Sequence, residues 1–127
     1  MSDRDLLRHE LAHALGGILA CPGTVATIQD DGDTWTTTHE WPDPATVGEW
    51  PVVASFVAGP FLVPEHASIE DTLFVAALPQ ALREKAEAFA RDVVAPALAD
   101  IGSFELTAML AQIRSTGGIR IKRGQMQ

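Results

Sequence analysis

Along the first twenty residues the apolar positions Leu7, Leu11, Ala14, Leu15 and Ile18 recur every three or four places, the period of one helix face. Ser2 can cap this segment, Asp3 and Asp5 fall in its first turn, and "CPG" at 21–23 stops it, so the pattern predicts a helix ending near Ala20. The opposite side carries His9, His13, Gly16 and Ala20. A merely solvated face would hold Lys, Glu and Arg where this one holds small residues, so a second element is expected to pack there and bury the helix on two faces.

Two segments, "TVATIQ" at 24–29 and "TWTTTHEW" at 34–41, are rich in β-branched and aromatic residues, and the "DDGD" between them has the composition of a hairpin turn. They are expected to be the only strands. After a Pro-rich loop at 41–50, the stretch from Pro51 to Val63 is apolar nearly all round and reads as a buried helix opened by its proline and closed by Pro64. Further helices are expected from near Ser68, over about Pro79 to Ile101 with a kink before Pro96, and from Ser103 to about Arg114. The predicted class is α+β, mainly helical with a small β-hairpin, as a single domain over 1–127 in which 118–127 is a basic, flexible tail.

Composition narrows the setting. With 127 residues and 46% hydrophobic content the chain can bury a core without disulfides or a structural metal. Cys21 is alone, so no internal disulfide forms, which suits a reducing compartment. No basic and apolar leader opens the chain, and the apolar run at 52–63 falls short of the roughly 20 residues that cross a bilayer, so a cytoplasmic protein with no membrane insertion is expected. A net charge of −8 repels phosphate backbones and makes nucleic acid a poor partner.

The chemistry lies in His9-Glu10-Leu11-Ala12-His13. On a helix the two histidines stand about 40° apart around the axis and one turn apart along it, so both imidazoles reach one ion. Glu10 points about 100° away from His9, where it can meet a water on that ion. Zinc would lower the pKa of that water, and Glu10 would take its proton as general base. Catalytic zinc needs three protein ligands, and the third remains open among His39, Glu40, Glu49, Glu65, His66, Glu70 and Asp71.

"RHELAHALGG", a short β region, "VASFVAGPFLVPE" and "SIEDTLFVAAL" together resemble the peptidase domain of FtsH-like zinc metalloproteases, over about residues 5 to 115. The resemblance implies a zincin-like domain that hydrolyses peptides or unstructured protein segments. It further implies Zn2+ held by His9, His13 and Asp71, with Glu10 as the catalytic base. Ala12 stands where the family usually has glycine, and the loops between His13 and Asp71 are shorter than in full-length members, which keeps Glu70 and Glu65 as alternative ligands. No P-loop occurs, so the chain lacks an ATPase module.

Competing expectations accompany this one. "HELAH" also resembles ImmA/IrrE-type regulatory metallopeptidases, but Lys85 then falls at the ligand position, with Glu84 as the substitute. A non-catalytic binding or assembly module keeping the peptidase fold is the other rival. Asp71 has a role without metal, since Ser68 and Asp71 are spaced as a capping box. His39 and His66 read as strand-end and loop residues, and Trp35, Trp41 and Trp50 as core and loop anchors. Cys21 reads as a small buried filler. A peptide substrate would add as a strand beside "TWTTTHE". A homo-oligomer or a separate regulatory protein is also compatible with the sequence.

Overall fold

The leucine-striped first segment forms a helix that runs through the middle of the molecule. In the computed structural model, which describes residues 3–122, 125 and 126, α1 spans Asp3–Ala20 and is buried at Leu7 and at every position from His9 to Ile18. Leu7, Leu11, Leu15 and Ile18 enter the main core with Leu98, Leu110 and Ile113. The other side of α1 faces α2 (Trp50–Leu62) and the sheet. Small residues permit this approach: a Cβ on Gly16 would lie 2.7 Å from the Ala54 carbonyl oxygen, so only glycine lets the two helices come so close. The expectation of a helix covered on two faces therefore holds.

The hairpin forms as the turn composition predicts. Strands β1 (Val25–Asp30) and β2 (Trp35–Glu40) pair antiparallel, with Gly32 at φ 97° in the turn. They are not the only strands. β3 (Gly118–Lys122) pairs antiparallel with the other side of β1, and β4 (Gln125–Met126) pairs with β3, giving the order β2-β1-β3-β4. The segment expected to be a flexible tail is thus a strand as far as Lys122. Its basic residues conceal a period of two, in which Ile119 and Ile121 point into the core opposite Ile28 and Ala26, while Arg120 and Lys122 stay exposed. Gly117, at φ 87°, ends the preceding helix and turns the chain into β3. β2 lies at the edge of the sheet.

Helix α2 starts with Pro51 in its first turn, as expected, and contains Pro60 near its end. A short turn, Pro64–His66, leads to α3 (Ile69–Ala77). Then α4 (Gln80–Phe89) and α5 (Ala95–Ala99) are joined through a widened, π-type segment at Ala90–Val94, and α6 (Ser103–Thr116) follows. The widening takes the place of the expected kink. Pro96 has no N–H to donate and its ring crowds the carbonyl four residues earlier, so the turn before it loosens, and the Ala95 N–H reaches back to the Ala90 carbonyl. Among the described residues no single helix is long and apolar enough to cross a membrane.

The strand reading of the C-terminal segment has a direct consequence. Truncating the fully buried Ile121 in Ile121→Ala should cost about 2–5 kcal/mol in denaturant unfolding, as for other buried isoleucines. A change below about 0.5 kcal/mol, typical of surface substitutions, would instead match a frayed tail.

Candidate functional site

His9 and His13 emerge from α1 into a space closed by α2 and the start of α3. The His9 Nδ1 donates to the Val63 carbonyl at 2.9 Å, and the His13 Nδ1 donates to the Ser55 carbonyl at 2.7 Å. A carbonyl only accepts, so both Nδ1 atoms carry hydrogen and both Nε2 atoms turn inward as bases. Those two Nε2 atoms are 3.1 Å apart. Two lone pairs cannot face each other at that distance in a buried site without a cation between them, either a proton or a metal. Gly59 makes room for the arrangement, because a Cβ there would collide with the His13 ring. The "AGP" stretch is thus small for a reason that lies on another helix.

Asp71 completes the cluster from the first turn of α3. Its Oδ2 lies 3.4 Å from the Nε2 of His9 and 3.4 Å from that of His13. The same residue closes a capping box: the Ser68 Oγ accepts from the Asp71 N–H at 2.9 Å, and the Ser68 N–H donates to Asp71 Oδ2 at 3.4 Å. The capping and cluster roles, which the sequence sets against each other, coexist in one side chain. The three ligand atoms fit a metal. Tetrahedral zinc with bonds of about 2.0–2.1 Å places neighbouring ligand atoms about 3.3 Å apart, close to the separations found here. Among the described residues, His9, His13 and Asp71 form the group that could hold an ion, and all three are buried.

Glu10 occupies the next position round the helix and is also buried. Its Oε1 accepts a hydrogen bond from the Thr37 hydroxyl of β2 at 2.8 Å. Glu10 and the three cluster residues line one cleft of about 1040 Å³, bounded by β2 on one side and by Val52 and Phe56 of α2 on the other. The electrostatics of the two carboxylates diverge. Burial pushes the Glu10 carboxyl up, and the Thr37 hydrogen bond and the neighbouring imidazoles offset this only in part. Burial also acts upward on Asp71, but the His13 and His9 rings that face it, once protonated, overcome this and hold the carboxyl well below the usual carboxylate range. For His9, burial acts downward and is outweighed by Asp71, by the Val63 carbonyl and by Glu10, so its pKa is raised above 6.5.

The remaining candidates stay outside the ligand group, although His39, His66 and Glu70 line the same cleft. Glu49, Glu65 and Glu70 are exposed, and Glu40 pairs with Arg120 at 3.1 Å on the outer surface of the sheet. His39 stacks on Trp41, packs against Gly17 and lies 3.3 Å from the Ala14 carbonyl, which makes it part of the α1–β2 contact. Burial pushes its pKa down. His66 lies beside His9, with ring centroids 6.2 Å apart, and its buried Nε2 has no hydrogen-bond partner among the described residues. Glu84 accepts from Gln80, and the Lys85 ammonium lies 4.2 Å from the centre of the Trp50 ring, so neither joins the cluster. Trp35 and Trp41 line the cleft, whereas Trp50 packs edge-on against Phe89. Cys21 is half-buried. Thr37 is the neighbour of Glu10 that the motif itself does not reveal; its inward place in a strand beside the helix is a tertiary fact. Comparison of the chain with protein-family models, curated proteins and solved structures finds no match.

The cluster should bind one divalent metal ion per chain, with Asp71→Asn losing most of the affinity while costing only about 1 kcal/mol in capping, as calorimetry and thermal unfolding would read. Retained affinity in Asp71→Asn would remove Asp71 from the ligand set. A pH dependence follows from the shifts. In the metal-free protein the raised His9 contributes stability below the usual 6.5, lost as pH rises through its folded value. Asp71 contributes above the usual 3.8, lost as pH falls through its depressed value. A metal ion must displace the His9 proton, so affinity should fall by about tenfold per pH unit below the folded His9 pKa. Affinity constant between about pH 5 and 8 would contradict this.

Proposed function

We propose that the chain is a zinc-dependent metallopeptidase of zincin-like fold that hydrolyses peptide bonds in peptides or unstructured protein segments, with His9, His13 and Asp71 as ligands and Glu10 as general base. The observation that carries this reading is the set of three inward ligand atoms at 3.1–3.4 Å from one another, in the same cleft as a buried carboxylate one residue from a ligand. When bound, zinc supplies Lewis acidity that polarises a carbonyl and acidifies water.

The side chains divide the remaining work. Glu10, whose burial raises its affinity for a proton, takes one from the attacking water and returns it to the leaving amine. The edge strand β2 offers a peptide free backbone groups, and Thr36 and Thr38 point outward beside them. Pairing through backbone makes little demand on sequence, so selectivity is broad. Phe56, stacked on Phe74 at 4.3 Å, gives the opposite wall an apolar surface for a substrate side chain. The lone thiol of Cys21 suits the cytoplasm.

The rival is a non-catalytic module that keeps the ion. Glu10 argues against it, since a structural ion needs no second buried carboxylate beside it, and burying one is unfavourable. The regulatory-peptidase alternative has less support, because neither Glu84 nor Lys85 approaches the cluster.

Glu10→Gln keeps the shape and the ligands but removes the base. Zinc content should match wild type while cleavage of an unfolded, fluorescently labelled protein falls by about 10² or more. Cleavage at the wild-type rate would move the base elsewhere, and a zinc-loaded wild type inert toward unfolded proteins and peptides alike would favour the non-catalytic module.

A further inference from the structure

Resting on the peptidase reading, we propose that Thr37 is the positioning residue of the base: its hydroxyl holds one oxygen of the Glu10 carboxylate and leaves the other for the attacking water. The Thr37 Oγ1 lies 2.8 Å from Glu10 Oε1 and 3.2 Å from the Glu10 carbonyl oxygen. A hydroxyl has a single proton to donate, and the shorter contact is to the carboxylate. Among the described residues this is the hydrogen bond that reaches the carboxylate of Glu10. Without it, this buried carboxylate would lose the hydroxyl that fixes one of its oxygens.

Thr37 is itself held on both sides. On β2 the half-buried residues Trp35, Thr37 and His39 share the inner face, while Thr36, Thr38 and Glu40 are exposed. Trp35 packs against the core, and His39 rests on Gly17 and beside the Ala14 carbonyl, so the hydroxyl between them has a fixed height above α1. Across the ladder Thr37 faces Ile28, which is fully buried. The base is therefore oriented by the edge strand, not by its own helix. A peptide pairing with β2 would stiffen the strand that holds the base, which couples docking to catalytic geometry.

The test compares Thr37→Val, which removes the hydroxyl but keeps shape and β-branching, with Thr37→Ser, which restores it. Both should bind one zinc. In Thr37→Val, kcat should fall by about 10- to 100-fold with KM unchanged, and Thr37→Ser should return it to within roughly threefold of wild type. Combined with Glu10→Gln, Thr37→Val should add no further loss, because its effect runs through that carboxylate. Crystal structures supply a readout free of activity: the Glu10 carboxylate should leave its place in Thr37→Val and keep it in Thr37→Ser. Wild-type kcat in Thr37→Val, an unmoved carboxylate, or an equal further loss in the Glu10→Gln background would each overturn the proposal. A zinc-loaded wild type that cleaves nothing, with Glu10 displaced in Thr37→Val, would overturn the peptidase reading and leave the Thr37 clamp standing.

Discussion

Two imidazole nitrogens facing each other at 3.1 Å inside a protein core form the constraint around which this molecule is arranged. Each ring must be desolvated, and each must have its other nitrogen satisfied, or the cost of burial would exceed what packing returns. The carbonyls of Ser55 and Val63 meet that need, and both belong to α2 or its end. α2 must therefore lie against the histidine face of α1. Gly16, Ala54 and Gly59 are the small residues that allow it, and the Ser55 hydroxyl adds a bond to the His13 carbonyl at 2.9 Å. The polar site and the close contact of α1 with α2 are one structure.

The placement of α3 depends on the same point. Asp71 is its single buried residue among those described, while Ile69 and Leu73 are 79% and 64% exposed. The helix is held by Phe74 and Val75, which pack against Val53, Val57 and Ala86, and by the carboxylate that faces the histidines. One oxygen, Oδ2, accepts the cap from Ser68 and faces both rings. Metal binding and the start of α3 are accordingly linked, since any cation drawn into the cluster also pulls on the cap.

Glu10 and Asp71 share a cleft but not an environment. Asp71 faces the Nε2 atoms of both histidines, and its carboxyl is held well below the usual carboxylate range. Glu10 meets one hydroxyl, and its burial raises its affinity for a proton. The contrast arises from position on the helix. His9 and His13 project along one line of α1, and Glu10 projects one residue further round, toward the sheet.

Part of this was written locally in the chain. The period of 3.6 residues per turn brings His9, Glu10 and His13 to one site whatever surrounds them, and the three-residue reach of a capping box joins Ser68 to Asp71. Hairpin, helices and the mainly helical α+β class were legible for the same reason, since helix and turn signals lie within a few residues of one another. The third strand was hidden because lysine and arginine at alternate positions masked Ile119 and Ile121, and because a strand shows itself only when a partner, here β1, stands beside it. Which acidic or histidine side chain would join the pair on α1, and that Thr37 would meet the Glu10 carboxylate, was decided by tertiary structure alone. Those residues lie far from the motif along the chain, and their distance in space depends on how α2, α3 and β2 pack around one buried helix, which no local period encodes.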